Sequence, residues 1–141
     1  MTTRPTVGGL TVPFMVDEMH GPIDFKRLDA RHVEQCARQT RCGICGQKIK
    51  RGPIAFIGPD DGRRCFADPW MHPACARLAL AECPFLAGRD WREAEARSEP
   101  LLQTYAGNMV TVRAWNWRAH RDPSGAWHFE AVGPLTRQEA R

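Results

Sequence analysis

Two short motifs in this chain contain residue types that bind metal ions. Cys42 and Cys45 are separated by two residues, and a glycine directly follows each of them. A tight turn of this kind directs both sulfurs to one side, and its backbone N–H groups can donate to the thiolates. Zn²⁺ prefers four nitrogen or sulfur ligands at the corners of a tetrahedron. The first motif therefore predicts one half of a zinc site.

The second motif pairs His72 with Cys75 in the first turn of a predicted helix. Residues three apart on a helix share a face, and the helix N-terminus favours the negative charge of a thiolate. The segment 46–71 between the motifs is long enough to form a β-hairpin that brings them together. We therefore expect Cys42, Cys45, His72 and Cys75 to bind one Zn²⁺ per chain.

The predicted ligand set also indicates what the metal does. Catalytic zinc sites keep three protein ligands and an open position for water, whereas three cysteines and one histidine fill all four positions. The zinc is expected to be structural, with no catalytic residue and no small-molecule substrate. The other thiols, on Cys36, Cys65 and Cys83, are expected to be small buried groups. Cys65 is the first alternative if one of the four ligands is misassigned.

An HNH-type nuclease is the enzymatic alternative. Asn116 and His120 invite the comparison with these nucleases, which contain a zinc module of the treble-clef type. Those enzymes need a histidine base between the zinc knuckle and the helix, and no histidine occurs between Cys45 and His72. Because His72 is already assigned to zinc, the sequence departs from the HNH pattern at the catalytic residue.

Composition limits the cellular setting. The chain has 141 residues and a formal net charge of +4, with 17 Arg and 3 Lys. That excess is well short of the dense basic stripe typical of nucleic-acid-binding domains. No apolar run is long enough to predict a membrane span, and residues 1–9 lack the apolar stretch of a signal peptide. We expect a cytoplasmic protein, in which cysteines bind metal or stay free and do not form disulfides.

Local patterns predict the elements that would position the ligands. Leu10–Val12 has the pattern of an edge strand, and Asp29 can cap a short helix that runs to Arg38. The expected apolar face of that helix consists of Ala30, Val33 and Ala37.

Between the two motifs, Ile54–Ile57 is expected to be a buried strand and Cys65–Ala67 the strand that returns beside it. The ligand-bearing helix is expected to end near Glu82 or Cys83, before Pro84. Its expected apolar positions are Ala74, Leu78 and Ala81.

The C-terminal region has the alternation of β-strands. Met109–Trp117 and Trp127–Val132 alternate, and the turn residues 121–125 lie between them, so a β-hairpin is predicted. Trp115 and Trp117 are expected on one face. Their rings either pack on the zinc module, which we favour, or form a stacking surface for bases or for a partner.

Together these patterns predict a small α+β protein in four segments. Residues 1–28 form an irregular N-terminal segment, and 29–86 form a treble-clef-like zinc-binding module. Residues 87–104 are a solvated connection, and 105–135 form a C-terminal β-hairpin that packs on the zinc module.

The order of knuckle, hairpin and ligand-bearing helix resembles the treble-clef zinc finger. In addition, Phe66–Ala76, Cys83–Leu86 and Val132–Pro134 resemble a group of small uncharacterised zinc-binding proteins of actinobacteria and their phages or mobile elements. That group pairs an upstream Cys-x-x-Cys-Gly with a His-x-x-Cys-Ala helix ending in Cys-Pro-aromatic-Leu. The resemblance implies a phage, mobile-element or actinobacterial context and brings no established activity.

The leading functional expectation is a non-catalytic, zinc-stabilised binding module with a protein partner. The first alternative is a zinc-finger protein that binds nucleic acid through its arginines and exposed tryptophans. The second is an endonuclease of degenerate HNH type. No membrane partner is expected.

Overall fold

The computed structural model describes residues 4–7, 10–23, 27–59, 61–82 and 109–139. The predicted connection 87–104, together with Cys83 and Pro84, lies outside these ranges. The described elements in chain order are β1 (Thr6–Val7), β2 (Leu10–Thr11), α1 (Ala30–Gln39), β3 (Ile54–Pro59), β4 (Cys65–Phe66), α2 (Pro73–Glu82), β5 (Met109–Arg121) and β6 (Trp127–Glu139). Strands β1 and β2 form a two-stranded sheet, and the other four form an antiparallel sheet in the order β3-β5-β6-β4. The predicted α+β class is confirmed.

Helix α1 begins where its capping residue predicts. The Asp29 side chain accepts from the backbone N–H groups of Arg31, at 2.9 Å, and His32, at 3.4 Å, which satisfies donors that have no partner inside the helix. The predicted apolar face is only partly right. The helix buries Val33 and Cys36, whereas Ala30 is exposed.

The long β5–β6 hairpin is the centre of the main sheet. Strand β3 pairs with residues 109–114 of β5, whereas β4 pairs with residues 129–130 of β6. The two flanking strands are therefore not neighbours, and the predicted hairpin of β3 with the Cys65 strand is wrong. A strand pattern specifies which face is buried but not which strand lies alongside. The chain returns to β3 later, where Met71 and Ala55 exchange backbone hydrogen bonds of 2.8 and 3.0 Å.

A β-bulge interrupts the hairpin at Trp115, the first of its tryptophans. The ladder shifts register between Ala114 and Asn116, opposite Gly133, whose φ of +82° an L residue rarely adopts. Alternation of the side chains is interrupted at this point. Trp115 is 67% exposed, whereas Trp117 packs against the core. The prediction that Trp115 and Trp117 share one face is therefore wrong. Of the two rings, only that of Trp117 packs against the core.

Aromatic rings join the hairpin to the segment that leads into the second motif. The Phe56 and Phe66 rings are stacked with centroids 4.3 Å apart. Trp70 is 2% exposed and packs edge-on against Phe129 at 4.9 Å and tilted against Trp117 at 6.3 Å. Trp70 is thereby fixed two residues before the histidine of the motif.

Helix α2 begins at Pro73, where the first turn tolerates proline, and it packs against β3 and β5. It buries Ala76 and Leu80, whereas Leu78 is 45% exposed. The predicted face is wrong, since its members, Ala74, Leu78 and Ala81, are all exposed. The described part of α2 runs to Glu82, and Cys83 and Pro84, where the helix is predicted to stop, lie outside the described residues.

Candidate metal centre

The first half of the site is a tight knuckle closed by backbone hydrogen bonds. Cys42 N–H donates to the carbonyl of Gln47 at 2.8 Å, and Gly46 N–H donates to the Cys42 carbonyl at 2.9 Å. Gly46 adopts a φ of +76°, and a Cβ at that position would lie 2.7 Å from the ring of Phe14. Glycine is therefore required at 46 for two reasons, one conformational and one steric.

Backbone N–H groups point at the sulfurs of the knuckle. Ile44 N–H donates to the Cys42 sulfur and Gln47 N–H to the Cys45 sulfur, each at 3.4 Å. A third N–H, from His72, reaches the Cys42 sulfur at 3.3 Å. Hydrogen bonds to the charged form of a group favour that form, so these donors favour thiolates, the form of cysteine that binds metals.

The second half of the site lies at the N-terminus of α2. The His72 carbonyl accepts from Ala76 N–H at 2.9 Å, so His72 stands at the boundary of the helix. Cys75 lies in the first helical turn, where the partial positive charge of the helix end favours a thiolate. Both side chains are half-buried.

The backbone holds the two halves together directly. Gly43 N–H, inside the knuckle, donates to the carbonyl of Trp70 at 2.9 Å. A Cβ at Gly43 would lie 3.1 Å from both the Met15 sulfur and Pro69, so a glycine is what allows this close approach. With Trp70 packed on the hairpin, the core itself fixes the distance between the motifs.

These contacts bring the four predicted ligands into one cluster. The ligand atoms of Cys42, Cys45, His72 and Cys75 all lie within 4.8 Å of one another. Nδ1 of His72 lies 3.4 Å from the Cys45 sulfur and 3.9 Å from the Cys75 sulfur. Zn–S bonds of about 2.3 Å and Zn–N bonds of about 2.05 Å place a sulfur and a nitrogen about 3.6 Å apart in a tetrahedral site. The two distances bracket that value, so the cluster could bind one metal ion.

The electrostatics of the cluster favour positive charge at its centre. The neighbouring Cys42 sulfur and burial raise the pKa of the Cys45 thiol to about 12. The same sulfur, with a further contribution from Cys45, raises the pKa of the His72 imidazole to about 9. Both groups thus retain a proton more tightly than usual, because sulfurs crowd around them. A divalent cation would supply the same positive charge.

The N-terminal segment, predicted to be irregular, covers the knuckle. Phe14 N–H donates to the carbonyl of Ile44, and Met15 N–H to that of Gly43, each at 2.9 Å. The Phe14 ring stacks on His32 with centroids 4.1 Å apart, and Nδ1 of His32 donates to the Phe14 carbonyl at 2.6 Å. Sequence reasoning missed this role of Phe14. The available signal was the apolar run 14–16 next to Pro13, which does not indicate what it packs on.

Other predicted candidates lie outside the cluster. Cys36 is buried, and burial raises the pKa of its thiol to about 12, with a smaller contribution from Cys42. The prediction that Cys65 is buried is wrong, since this residue is exposed on β4, and it is not part of the cluster. Among the residues that the structure describes, only one group of three or more metal-ligand side chains meets.

The remaining histidines have other partners. His120 and His128 are cross-strand neighbours near the hairpin turn, with ring centroids 5.3 Å apart. His128 contacts the Asp122 carboxylate at 2.7 Å. His20 contacts the carboxylate of Asp17 at 3.0 Å. Neither these three histidines nor His32 belong to the metal-ligand cluster.

Comparison with protein-family models, curated proteins and solved structures finds no match. In the described part of the chain, no helix is both long and apolar enough to cross a membrane.

Proposed function

We propose that Cys42, Cys45, His72 and Cys75 hold one structural Zn²⁺, and that the chain is a zinc-stabilised binding module without catalytic activity. The observation that carries this proposal is the convergence of four ligand atoms within 4.8 Å from two separate motifs. Zinc in such a site contributes directly to folding, because the unfolded chain cannot preform it.

The donor set favours zinc over other common ions. Three soft sulfurs and one imidazole nitrogen suit Zn²⁺, whereas Mg²⁺ and Ca²⁺ prefer oxygen ligands. Iron–sulfur clusters use mostly cysteine ligands and need room for inorganic sulfide. A spacing near 3.6 Å between donors fits a single ion, and the N–H groups directed at Cys42 and Cys45 support thiolate ligands.

The non-catalytic assignment is supported by the completeness of the ligand shell. Four protein ligands leave no position for an activated water. The nuclease alternative needs a histidine base near a metal, and the candidate, His120, stacks on His128 at the far end of the hairpin strands, outside the cluster. The treble-clef assignment rests on the order of knuckle, strands and ligand-bearing helix, although β3 and β4 do not pair.

A protein partner remains our expectation from sequence, and Trp115 is the residue that best supports it. An exposed tryptophan is unusual, and tryptophans are enriched at interface hot spots. The cytoplasmic location and the phage or actinobacterial context rest on the sequence patterns alone.

The experiment is elemental analysis of the purified chain, with Cys42→Ser, Cys75→Ser and Cys65→Ser variants. Cys65→Ser is the matched control, since Cys65 is an exposed thiol outside the cluster. We expect one zinc per chain in the wild type and in Cys65→Ser. We expect loss of zinc and of cooperative unfolding in the other two variants. A folded Cys75→Ser variant with full zinc content would refute the assignment.

A further inference from the structure

Positive charge is concentrated on the zinc knuckle. Between Glu34 and Asp60 the chain contains five basic residues and no acidic one. Four of the five lie on the knuckle and the turn that follows it, and we call this group the basic face: Arg41, Lys48, Lys50 and Arg51. Lys48 and Lys50 are exposed on either side of the buried Ile49, so alternation directs both side chains away from the core.

Two like charges face each other across the knuckle. Arg41 and Lys48 are directly paired across its antiparallel bridge. Like charges in that position are destabilising. The Arg41 guanidinium donates to the carbonyl of Gly46 at 2.9 Å and to the side chain of Gln39 at 2.6 Å, so its charge meets no carboxylate there. An anion bound at this point would relieve the repulsion.

Several arginines elsewhere in the fold pair with carboxylates, as Arg4 does with Glu18 and Arg118 with Glu130. Lys48, Lys50 and Arg51 form no ion pair with any residue in the described ranges, although all three are exposed. No carboxylate of the described residues neutralises their charge, which suits them to bind an external anion.

The face also lacks an apolar anchor. The two large apolar residues of the knuckle, Ile44 and Ile49, are 4% and 5% exposed. Protein interfaces usually have an apolar or aromatic centre. A purely cationic surface instead matches the phosphate backbone of a nucleic acid, which binds through charge and the release of counterions.

We propose that the basic face binds the phosphate backbone of nucleic acid without sequence preference. The inference rests on the proposed function, because the bound zinc fixes the knuckle and hence the spacing of these charges. It specifies the nucleic-acid alternative and places the contact on the knuckle and the turn that follows it.

The test is fluorescence anisotropy of zinc-loaded full-length chain with a short labelled DNA duplex of mixed sequence. Contacts from Lys48, Lys50 and Arg51 predict a log–log salt slope of about −2.7, or about a 40-fold loss of affinity from about 50 to 200 mM salt. Replacing two contacts with Lys48→Gln/Lys50→Gln should reduce the slope to about −0.9 and weaken binding at least about tenfold at the lower salt. The control, Arg31→Gln/Arg77→Gln, removes the same charge from exposed helical sites and should bind within about twofold of wild type.

Equal affinity of the double lysine variant and the control would overturn the inference. So would absence of binding by the wild type at about 50 mM salt, or binding to polyglutamate in preference to the duplex, which would indicate an acidic protein partner. Zinc content is measured on every sample. If the chain contains one zinc but does not bind the duplex, only the proposal that the basic face binds nucleic acid is refuted. If the chain contains no zinc, the structural-zinc proposal is refuted as well.

Discussion

At Gly46 the knuckle packs closely against the Phe14 ring of the N-terminal segment. The φ of Gly46 is +76°, and a Cβ would lie 2.7 Å from the Phe14 ring. Gly52 has nearly the same φ, +78°, but nothing lies within 4 Å of the corresponding Cβ. Alanine at the two sites therefore separates backbone strain from steric overlap.

The expected losses of stability follow from those two terms. Left-handed backbone costs an L residue about 1–2 kcal/mol, which is the loss expected for Gly52→Ala. Overpacking adds about 1–3 kcal/mol, so Gly46→Ala should lose about 2–5 kcal/mol. Because folding of the knuckle is coupled to zinc binding, the excess of about 1–3 kcal/mol should weaken zinc affinity about 5- to 150-fold relative to Gly52→Ala.

The free energy of unfolding is measured by urea denaturation of the zinc-loaded variants, and zinc affinity by competition with a chromophoric chelator. Phe14→Leu in the Gly46→Ala background replaces the ring with a smaller side chain and should recover part of the excess. Equal losses for the two glycine variants would show that Phe14 does not cover the knuckle, and the assignment of the N-terminal segment as a cover would be wrong.

Three further predictions concern the core, the hairpin turn and α1. Trp70→Ala should lower the free energy of unfolding by about 3–5 kcal/mol in denaturant titrations, whereas Trp115→Ala, at an exposed site, should change it by less than about 0.5 kcal/mol. Hydrogen bonds, first from the Ser124 hydroxyl, hold the pKa of Asp122 below its ordinary value of 3.8. A carboxyl group with a lowered pKa contributes stability that is fully present above about pH 4 and is lost as pH falls below it. The melting temperature of Asp122→Asn should therefore lack the part of its fall at acid pH that Asp122 causes. Asp29→Ala removes the helix cap and should cost about 1 kcal/mol of unfolding free energy, with increased amide exchange in the first turn of α1.

Local chemistry predicted the elements more accurately than their partners. The Asp29 cap, the apolar run from Ile54 and the turn at 121–125 each specify an element by themselves, and each element is present. Strand β3 pairs with a hairpin strand whose residues lie 50 to 60 positions later in the chain. No local pattern encodes that pairing, so the predicted return strand at Cys65 was placed beside the wrong strand.

The composition of the candidate site was readable from sequence because metal-ligand spacing is local within each half. The contacts that bring the two halves of the site together could not be predicted from sequence, because they join residues that are far apart in the chain. The Trp70 carbonyl meets Gly43 only because the Trp70 ring is packed on the hairpin. In the same way, the orientation of α2 about its axis is set by Cys75 at the site and by Ala76 and Leu80 in the core. An alanine-rich helix has several apolar faces, so its sequence alone does not indicate which of them is buried.

The measurement that tests the central claim most directly is zinc K-edge X-ray absorption on the purified chain. We predict three sulfur ligands at about 2.3 Å and one nitrogen ligand at about 2.0–2.1 Å, in tetrahedral geometry. His72→Cys should convert the spectrum to four sulfurs. A shell with fewer than three sulfurs, an oxygen ligand from water, or no bound zinc would contradict a closed site formed by Cys42, Cys45, His72 and Cys75.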